Sequence, residues 1–345
     1  MYILYIFFIL LNIFINLSNC YLLQHLVMQE KNIPLYNHWN CIGGVKNINK
    51  DKPFAFNVGE IPLIGWKTEN NSYISTLNIC KHMGSTLNDG KIKDNCLVCP
   101  YHGLKYDKTN NYGEIISYDD KLWWAYNPVK KTPNKFPFHN SSNYKTQIIE
   151  IVMNEELPYC MYNSMDINHA EYIHSGIFGF GSENPIKKYK EYINERIIGV
   201  SFKYFIKTNL KILNTYIPLE EYTYNYHEFI YPYTTWSVVH HGKKNKLVIG
   251  VNMLPIDKYK TKWTVTVRDN YMNTNLRKKM LEIATNVILS QDKIQFDRQS
   301  TNELLKKEFC FKKEFKFEEH FKYMNKQFEN YKYPELKDFI NNIKK

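Results

Sequence analysis

Apolar and polar positions alternate along the second half of the chain. Thr235-Trp-Ser-Val-Val239, Lys246-Leu-Val-Ile-Gly-Val-Asn252 and Lys262-Trp-Thr-Val-Thr-Val-Arg268 keep a period of two, which sends successive side chains to opposite faces of a sheet. In the first half, Tyr73-Ile-Ser-Thr-Leu77 and Glu114-Ile-Ile-Ser-Tyr118 are rich in β-branched and aromatic residues and lie between Gly- and Asn-containing turns, a pattern that predicts short strands. One later stretch, Leu276 to Leu289, reads as a helix, with capping residues too weak to fix its ends. The segment before Gln24 carries no charged side chain and is apolar on every side from Tyr2 to Leu11. That predicts a signal peptide or membrane anchor over residues 1–24 rather than a core helix.

Composition adds bounds. At 345 residues the chain is long enough for two domains, or for one with a large insertion. An apolar fraction of 44%, with 28 Tyr and 20 Phe, supports sizeable cores. The formal charge of +11 is spread along the chain without the basic block of a nucleic-acid-binding arm, so no nucleic-acid partner is expected. The excess charge reads as a solvated basic surface, or as a face for an acidic redox partner whose encounter it would speed. Seven cysteines do not form a dense disulfide framework.

Two short clusters carry the first chemistry. Cys80-Lys81-His82 is followed, sixteen residues on, by Cys99-Pro100-Tyr101-His102. This C-x-H-x16-C-x-x-H pattern resembles the ligand set of a Rieske [2Fe–2S] centre, where two thiolates hold one iron and two imidazoles the other. Gly84 and Gly90 punctuate the first loop, and Pro100 and Gly103 bracket the second. Zinc sites commonly pair like with like, as C-x2-4-C or H-x3-5-H, whereas here each loop offers one Cys and one His. A thiol pair between Cys96 and Cys99 would leave both histidines unexplained.

The second cluster is Asn163-x-x-Asp166-x-x-His169-x4-His174. Positions three and four apart share a helix face, so a spacing of five needs a distortion or a helix end. Two histidines and a distant carboxylate make the facial triad of non-haem Fe(II) oxygenases. The later segment Ile288 to Gln299 offers two carboxylates, Asp292 and Asp297, and spacing alone does not separate them.

Taken together, the chain resembles the Rieske non-haem iron oxygenases from about residue 36 to at least residue 300. Within them it is similar to the plastid group of pheophorbide a oxygenase, chlorophyllide a oxygenase and Tic55-like proteins. The grounds are the Asn163-to-His174 motif with Gly176, the Gly181-Ser-Glu-Asn184-Pro185 segment, and Gln291-Asp292 with Gln299, similar to a Q-D-x6-Q signature whose Asp is the third iron ligand. Met83 stands where that group often has Arg, and Lys81-His82-Met83-Gly84 is also similar to a sterol 7-desaturase branch.

The resemblance implies an α+β fold: an antiparallel β Rieske domain over 33–145, then a catalytic domain over 146–345 in which a curved antiparallel sheet grips a long helix around an apolar cavity. It implies a [2Fe–2S] cluster on Cys80, His82, Cys99 and His102, and a mononuclear non-haem Fe(II) on His169, His174 and Asp292, with Asp297 in reserve. Asp166 would bridge the two centres between subunits of a head-to-tail homotrimer, and Asn163 would line the iron site. The partners implied are O2, a ferredoxin-type donor and a hydrophobic small molecule, such as a chlorophyll-derived tetrapyrrole or, alternatively, a sterol. The leader then implies plastid delivery or membrane anchoring. The competing class is a Rieske electron carrier or redox sensor that performs no oxygenation.

Overall fold

The computed structural model describes residues 33–49, 51–138, 143–174, 186–193, 197–212, 215–241, 245–270, 275–299, 302, 320–328 and 331–344. The expected leader, the Gly176 and Gly181–Pro185 positions of the resemblance, and Cys310 lie outside the described residues. Among the described residues no helix is long and apolar enough to cross a membrane.

The N-terminal part is built from three small antiparallel sheets. Strands β1 (Asn40–Gly44), β2 (Phe54–Val58), β3 (Ile61–Lys67), β4 (Tyr73–Leu77), β5 (Lys91–Lys93), β6 (Cys96–Val98), β7 (Lys105–Tyr106), β8 (Glu114–Tyr118) and β9 (Lys121–Ala125) pair in the orders β1-β9-β8, β2-β3-β4 and β5-β6-β7. The Tyr73–Leu77 and Glu114–Tyr118 runs are strands with the bounds their composition predicted.

The C-terminal part is one seven-stranded antiparallel sheet. It uses β10 (Lys145–Met153), β11 (Ile186–Ile193), β12 (Ile197–Ile212), β13 (Thr215–Ile230), β14 (Thr234–His241), β15 (Asn245–Asp257) and β16 (Lys260–Asp269), in the order β10-β16-β15-β14-β13-β12-β11. The three alternating runs of the second half lie inside β14, β15 and β16. Five α-helices accompany the strands among the described residues: α1 (Leu157–Met165), α2 (His169–Ile173), α3 (Asn275–Arg298), α4 (His320–Phe328) and α5 (Leu336–Ile343). Helix α3 runs nine residues past the predicted end at Leu289. The polar segment beyond Leu289 has no Gly or Pro, and buried Thr285, Leu289, Asp292 and Phe296 continue the three- and four-residue spacing of one face.

The main core of the large sheet joins Met153, Phe229, Met253, Trp263 and Val265 to α1 residues Leu157, Met161 and Met165 and α3 residues Leu289 and Phe296. The two parts are then tied together at several points. Lys262 Nζ pairs with Glu150 Oε2 at 2.6 Å and donates to the Ile42 carbonyl at 3.0 Å, while Gly44 N–H donates to Glu150 Oε1 at 2.7 Å. Lys121, fully buried, reaches Asp119 Oδ2 at 3.0 Å and donates to Thr266 Oγ1 at 2.9 Å, and Asp119 also takes Arg268 of β16. Helix α5 packs back on the N-terminal part. Buried Phe339 lies edge-on to Tyr36 and Tyr126, with ring centroids 5.2 and 5.0 Å apart, and Glu60 N–H donates to the Pro334 carbonyl at 3.0 Å.

Candidate functional site

The two cluster loops share one backbone device. In each, Cys N–H donates to the carbonyl five residues on (Cys80 to Ser85, 2.7 Å; Cys99 to Leu104, 2.8 Å), and a glycine N–H four residues on returns to the Cys carbonyl (Gly84, 2.8 Å; Gly103, 3.1 Å). Gly84 and Gly103 both take positive φ, 75° and 76°, which only a residue without Cβ adopts freely. The paired loops leave Cys80 and Cys99 buried, 4% and 3% exposed, while His82 and His102 stand at the surface with ring centroids 4.8 Å apart.

The two thiols sit close enough to hydrogen-bond each other. Burial alone would raise the Cys80 thiol, but hydrogen bonds from the Tyr106 hydroxyl and from the His82 and Met83 N–H groups outweigh it and lower its pKa. A thiolate is therefore favoured where a metal ligand must be one. Tyr106 is pushed up to about 12 by its burial and by Cys80, and its oxygen accepts from Lys81 N–H at 2.7 Å. Cys96 and Cys99 are both free thiols. A thiolate pair facing inward and an imidazole pair facing out fit an asymmetric two-iron cluster.

The second cluster resolves its odd spacing at a helix break. Asp166 ends α1, His169 opens α2, and His174 caps the end of α2. Asp166 Oδ1 accepts from Asn168 N–H at 2.8 Å, while the residue before α2 makes no side-chain cap bond. From the other side α3 presents Asp292. His169, His174 and Asp292 bring one ligand atom each within 4.8 Å of one another. Asp292 Oδ1 lies 3.4 Å from His174 Nε2 and 3.8 Å from His169 Nε2.

Each imidazole is oriented through its other nitrogen. His174 Nδ1 meets Gln291 Oε1 at 2.9 Å, and His169 Nδ1 meets the Asp166 carbonyl at 2.6 Å. Both acceptors require Nδ1–H, which leaves the Nε2 lone pairs facing Asp292, as ligand histidines are normally held. Two imidazoles and one carboxylate suit a hard-to-intermediate ion such as Fe(II). Asn163 Nδ2 donates to Asp292 Oδ1 at 3.4 Å. Asp297 points away: it accepts from Asn154 at 2.9 Å and pairs with Lys293.

The triad sits at one side of a cavity of about 230 Å3 between the sheet, α1, α2 and α3. Most of its wall is apolar, from Phe202, Leu247, Ile249, Val251 and Trp263. A polar stripe runs along β13 through Thr223, Asn225 and His227. Asn225 Nδ2 donates to Thr223 Oγ1 at 3.0 Å, but the buried His227 Nδ1 has no partner, nor has the hydroxyl of neighbouring Tyr204. Burial lowers the His227 pKa to about 3 and raises that of Tyr204 to about 12.

Neither His227 nor Tyr204 was singled out by the sequence. Along β13 the aromatic positions Tyr224 and Tyr226 face out, 47% and 39% exposed, and the polar ones face in, the reverse of the usual pattern. That inversion beside a metal-ligand motif is the signal that could have found them. Trp123, Trp124 and Trp236 are core residues outside the cavity. His240 stands in register with Tyr224 on the outer face.

Comparison with known proteins bears on the first cluster directly: residues 38–121 match the family model of the Rieske [2Fe–2S] domain. The N-terminal part is a Rieske domain. Curated relatives include aminopyrrolnitrin oxygenase PrnD of Pseudomonas fluorescens, 36% identical over 59 residues, covering 17% of this chain and 16% of the relative. The oxygenase component of dicamba O-demethylase from Stenotrophomonas maltophilia is 25% identical over 159 residues, covering 36% and 43%. The chain thus spans less than half the length of these relatives.

Among solved structures, dicamba monooxygenase bound to dicamba superposes with a TM-score of 0.73 at 13% identity, covering 86% of this chain and 97% of that one. The Pseudomonas putida CBB5 NdmA QL mutant with caffeine gives 0.68 at 15% identity, covering 85% and 90%. The whole architecture, Rieske domain followed by the large antiparallel sheet with few helices, is therefore the Rieske oxygenase fold.

Proposed function

We propose that this protein is a Rieske-type non-haem iron oxygenase that takes electrons from a ferredoxin-type donor and uses O2 to oxygenate a hydrophobic small molecule. The observation that carries this reading is the convergence of His169, His174 and Asp292 on the wall of an apolar cavity, in a chain that also holds a Rieske domain. When bound, the cluster supplies one-electron transfer and the mononuclear iron supplies O2 activation at the positions three protein ligands leave open.

The chain's own residues do the rest. Gln291 and the Asp166 carbonyl hold the two imidazoles in the ligating tautomer. The apolar wall keeps water from the reacting carbon. Asp166, whose side chain is a quarter exposed, is the residue we assign to bridge to His102 of the partner subunit in a head-to-tail trimer. The exposed imidazole edge of the Rieske domain supports that arrangement.

The finer assignment, to the plastid group acting on chlorophyll-derived tetrapyrroles, rests on the motif resemblance. A cavity of about 230 Å3 lies below the range of about 300–1,000 Å3 common for small-molecule sites. It favours a compact substrate of one to a few rings over a macrocycle. Plastid delivery and membrane anchoring rest on residues 1–24 alone.

The test is iron and acid-labile sulfide per chain on anaerobically purified protein, with EPR of the reduced form. Three irons and two sulfides with a Rieske signal are expected. Two irons and two sulfides, unchanged after Fe(II) addition, would replace this reading with an electron carrier.

A further inference from the structure

The cavity wall contains one polar feature that the metal centre does not use. His227 lies on β13 directly opposite Val200 of β12 and Ser237 of β14. Its ring packs against Phe202 with centroids 5.1 Å apart, and it lines the same cavity as His169. Yet Nδ1 is shut off from solvent and has no hydrogen-bond partner, although the rest of the stripe, Thr223 and Asn225, is bonded within itself. A buried polar nitrogen without a partner costs about 1–3 kcal/mol, and an orphan on a residue that lines a ligand cavity gains a partner if a small shift of the ring lets the ligand reach it.

The charge of the cavity narrows what that ligand is. Among the described lining residues there is no Lys or Arg, and the only acids are Asp166 and Asp292. No side-chain cation waits there for a carboxylate or phosphate, so an anionic substrate would have only the metal centre to pair with. Neutral imidazole carries one donor and one acceptor nitrogen and suits a hydroxyl or a carbonyl.

We infer that His227 is a substrate-anchoring residue, and that the substrate is a neutral, largely apolar molecule carrying a hydroxyl or carbonyl group which His227 binds. This rests on the oxygenase reading of the cavity and adds its specificity. One hydrogen bond on the wall beside the triad would fix which carbon of an otherwise featureless ring system faces His169 and His174, which apolar contacts alone do poorly.

The experiment is anaerobic calorimetric titration of the iron-loaded protein with three bicyclic probes: tetralin, 1-tetralol and the anion 1-naphthoate. The alcohol should bind about three- to tenfold more tightly than tetralin, as one net hydrogen bond allows, and the anion most weakly. In His227→Phe the preference for the alcohol should vanish while tetralin affinity stays within about twofold. His227→Gln, which keeps a donor and an acceptor, should restore part of it, and His240→Phe on the outer face should leave it intact.

Persistence of the preference in His227→Phe overturns the inference. So does tightest binding of the anion, or no saturable binding of either neutral probe. Should His227→Phe lose its cluster absorbance, His227→Gln beside His227→Leu decides by the same comparison. Binding is read without O2 or reductant, so failure of turnover would count against the oxygenase reading and leave this inference standing.

Discussion

Asp119 sits between two buried cations, and removing its charge should be among the costliest single changes in the molecule. Its carboxylate meets Lys121 Nζ at 3.0 Å and the Arg268 guanidinium, with 3% of its side chain exposed. At an effective dielectric of ~20, a unit pair at that separation is worth roughly 5 kcal/mol. Breaking a buried pair from one side costs about 3–5 kcal/mol. In Asp119→Asn the lysine has an escape, because it can fold uncharged. Giving up a proton at pH 7 from a group with an ordinary pKa of about 10.4 costs roughly 4–5 kcal/mol, which caps the loss in the same range.

The escape makes the loss depend on pH. Burial already lowers the Lys121 pKa against the pull of Asp119, and Asp119→Asn removes that pull. Between the folded and unfolded pKa values the unfolded chain binds more protons, so stability rises with pH in that window. The window is wider in the variant, and its deficit against the parent should shrink as pH goes from 7 to 10. Urea unfolding followed by tryptophan fluorescence reads this directly, since Trp123 and Trp124 are buried on the same strand as Lys121. A deficit below about 1 kcal/mol at pH 7, or one unchanged at pH 10, would refute the reasoning. Adding Lys121→Met should recover at least about 1 kcal/mol, as expected for groups in contact.

The site makes three further predictions. Asp166→Asn should keep both metals, measured as iron and sulfide content, yet lose substrate-coupled O2 consumption; normal coupled turnover would remove its bridging role. Gln291→Leu should weaken Fe(II) binding at the triad by about 10- to 100-fold, the usual effect of losing a residue that orients a ligand histidine, with the Rieske EPR signal unchanged. Tyr106→Phe should lower the cluster's midpoint potential, because hydrogen bonds to the ligating sulfurs raise it and Tyr106 supplies one to Cys80. An unchanged potential in square-wave voltammetry would show that this bond is not made in the loaded site.

Local pattern and local chemistry were legible in the sequence; what depends on assembly was not. Strands β4 and β8 followed from β-branched and aromatic content between turns, and the cores of β14 to β16 from alternation. Spacing alone left Asp292 and Asp297 equal and the Q-D-x6-Q resemblance preferred Asp292; the rotation of α3 turns Asp292 toward the histidines and Asp297 toward Asn154. The continuation of α3 past Leu289 was hidden because its buried face there is carried partly by Asp292 itself. His227 and Tyr204 escaped notice because a cavity wall needs polar residues facing inward, which pattern reading assigns to solvent. Which strands of the large sheet are neighbours is likewise a long-range fact, set by pairing rather than by any one segment.

Helix α5 has a consequence for how the molecule is made. Phe339 is fully buried among Tyr36, Trp124 and Tyr126, and Asn342 reaches the Tyr36 hydroxyl across 306 positions of sequence. Domains generally fold as they emerge, the first-synthesised part first. Here the aromatic pocket of the Rieske domain stays open until the whole large sheet has left the ribosome. A chain arrested before residue 336 should therefore present an N-terminal domain with an exposed aromatic floor, the kind of surface that chaperones hold.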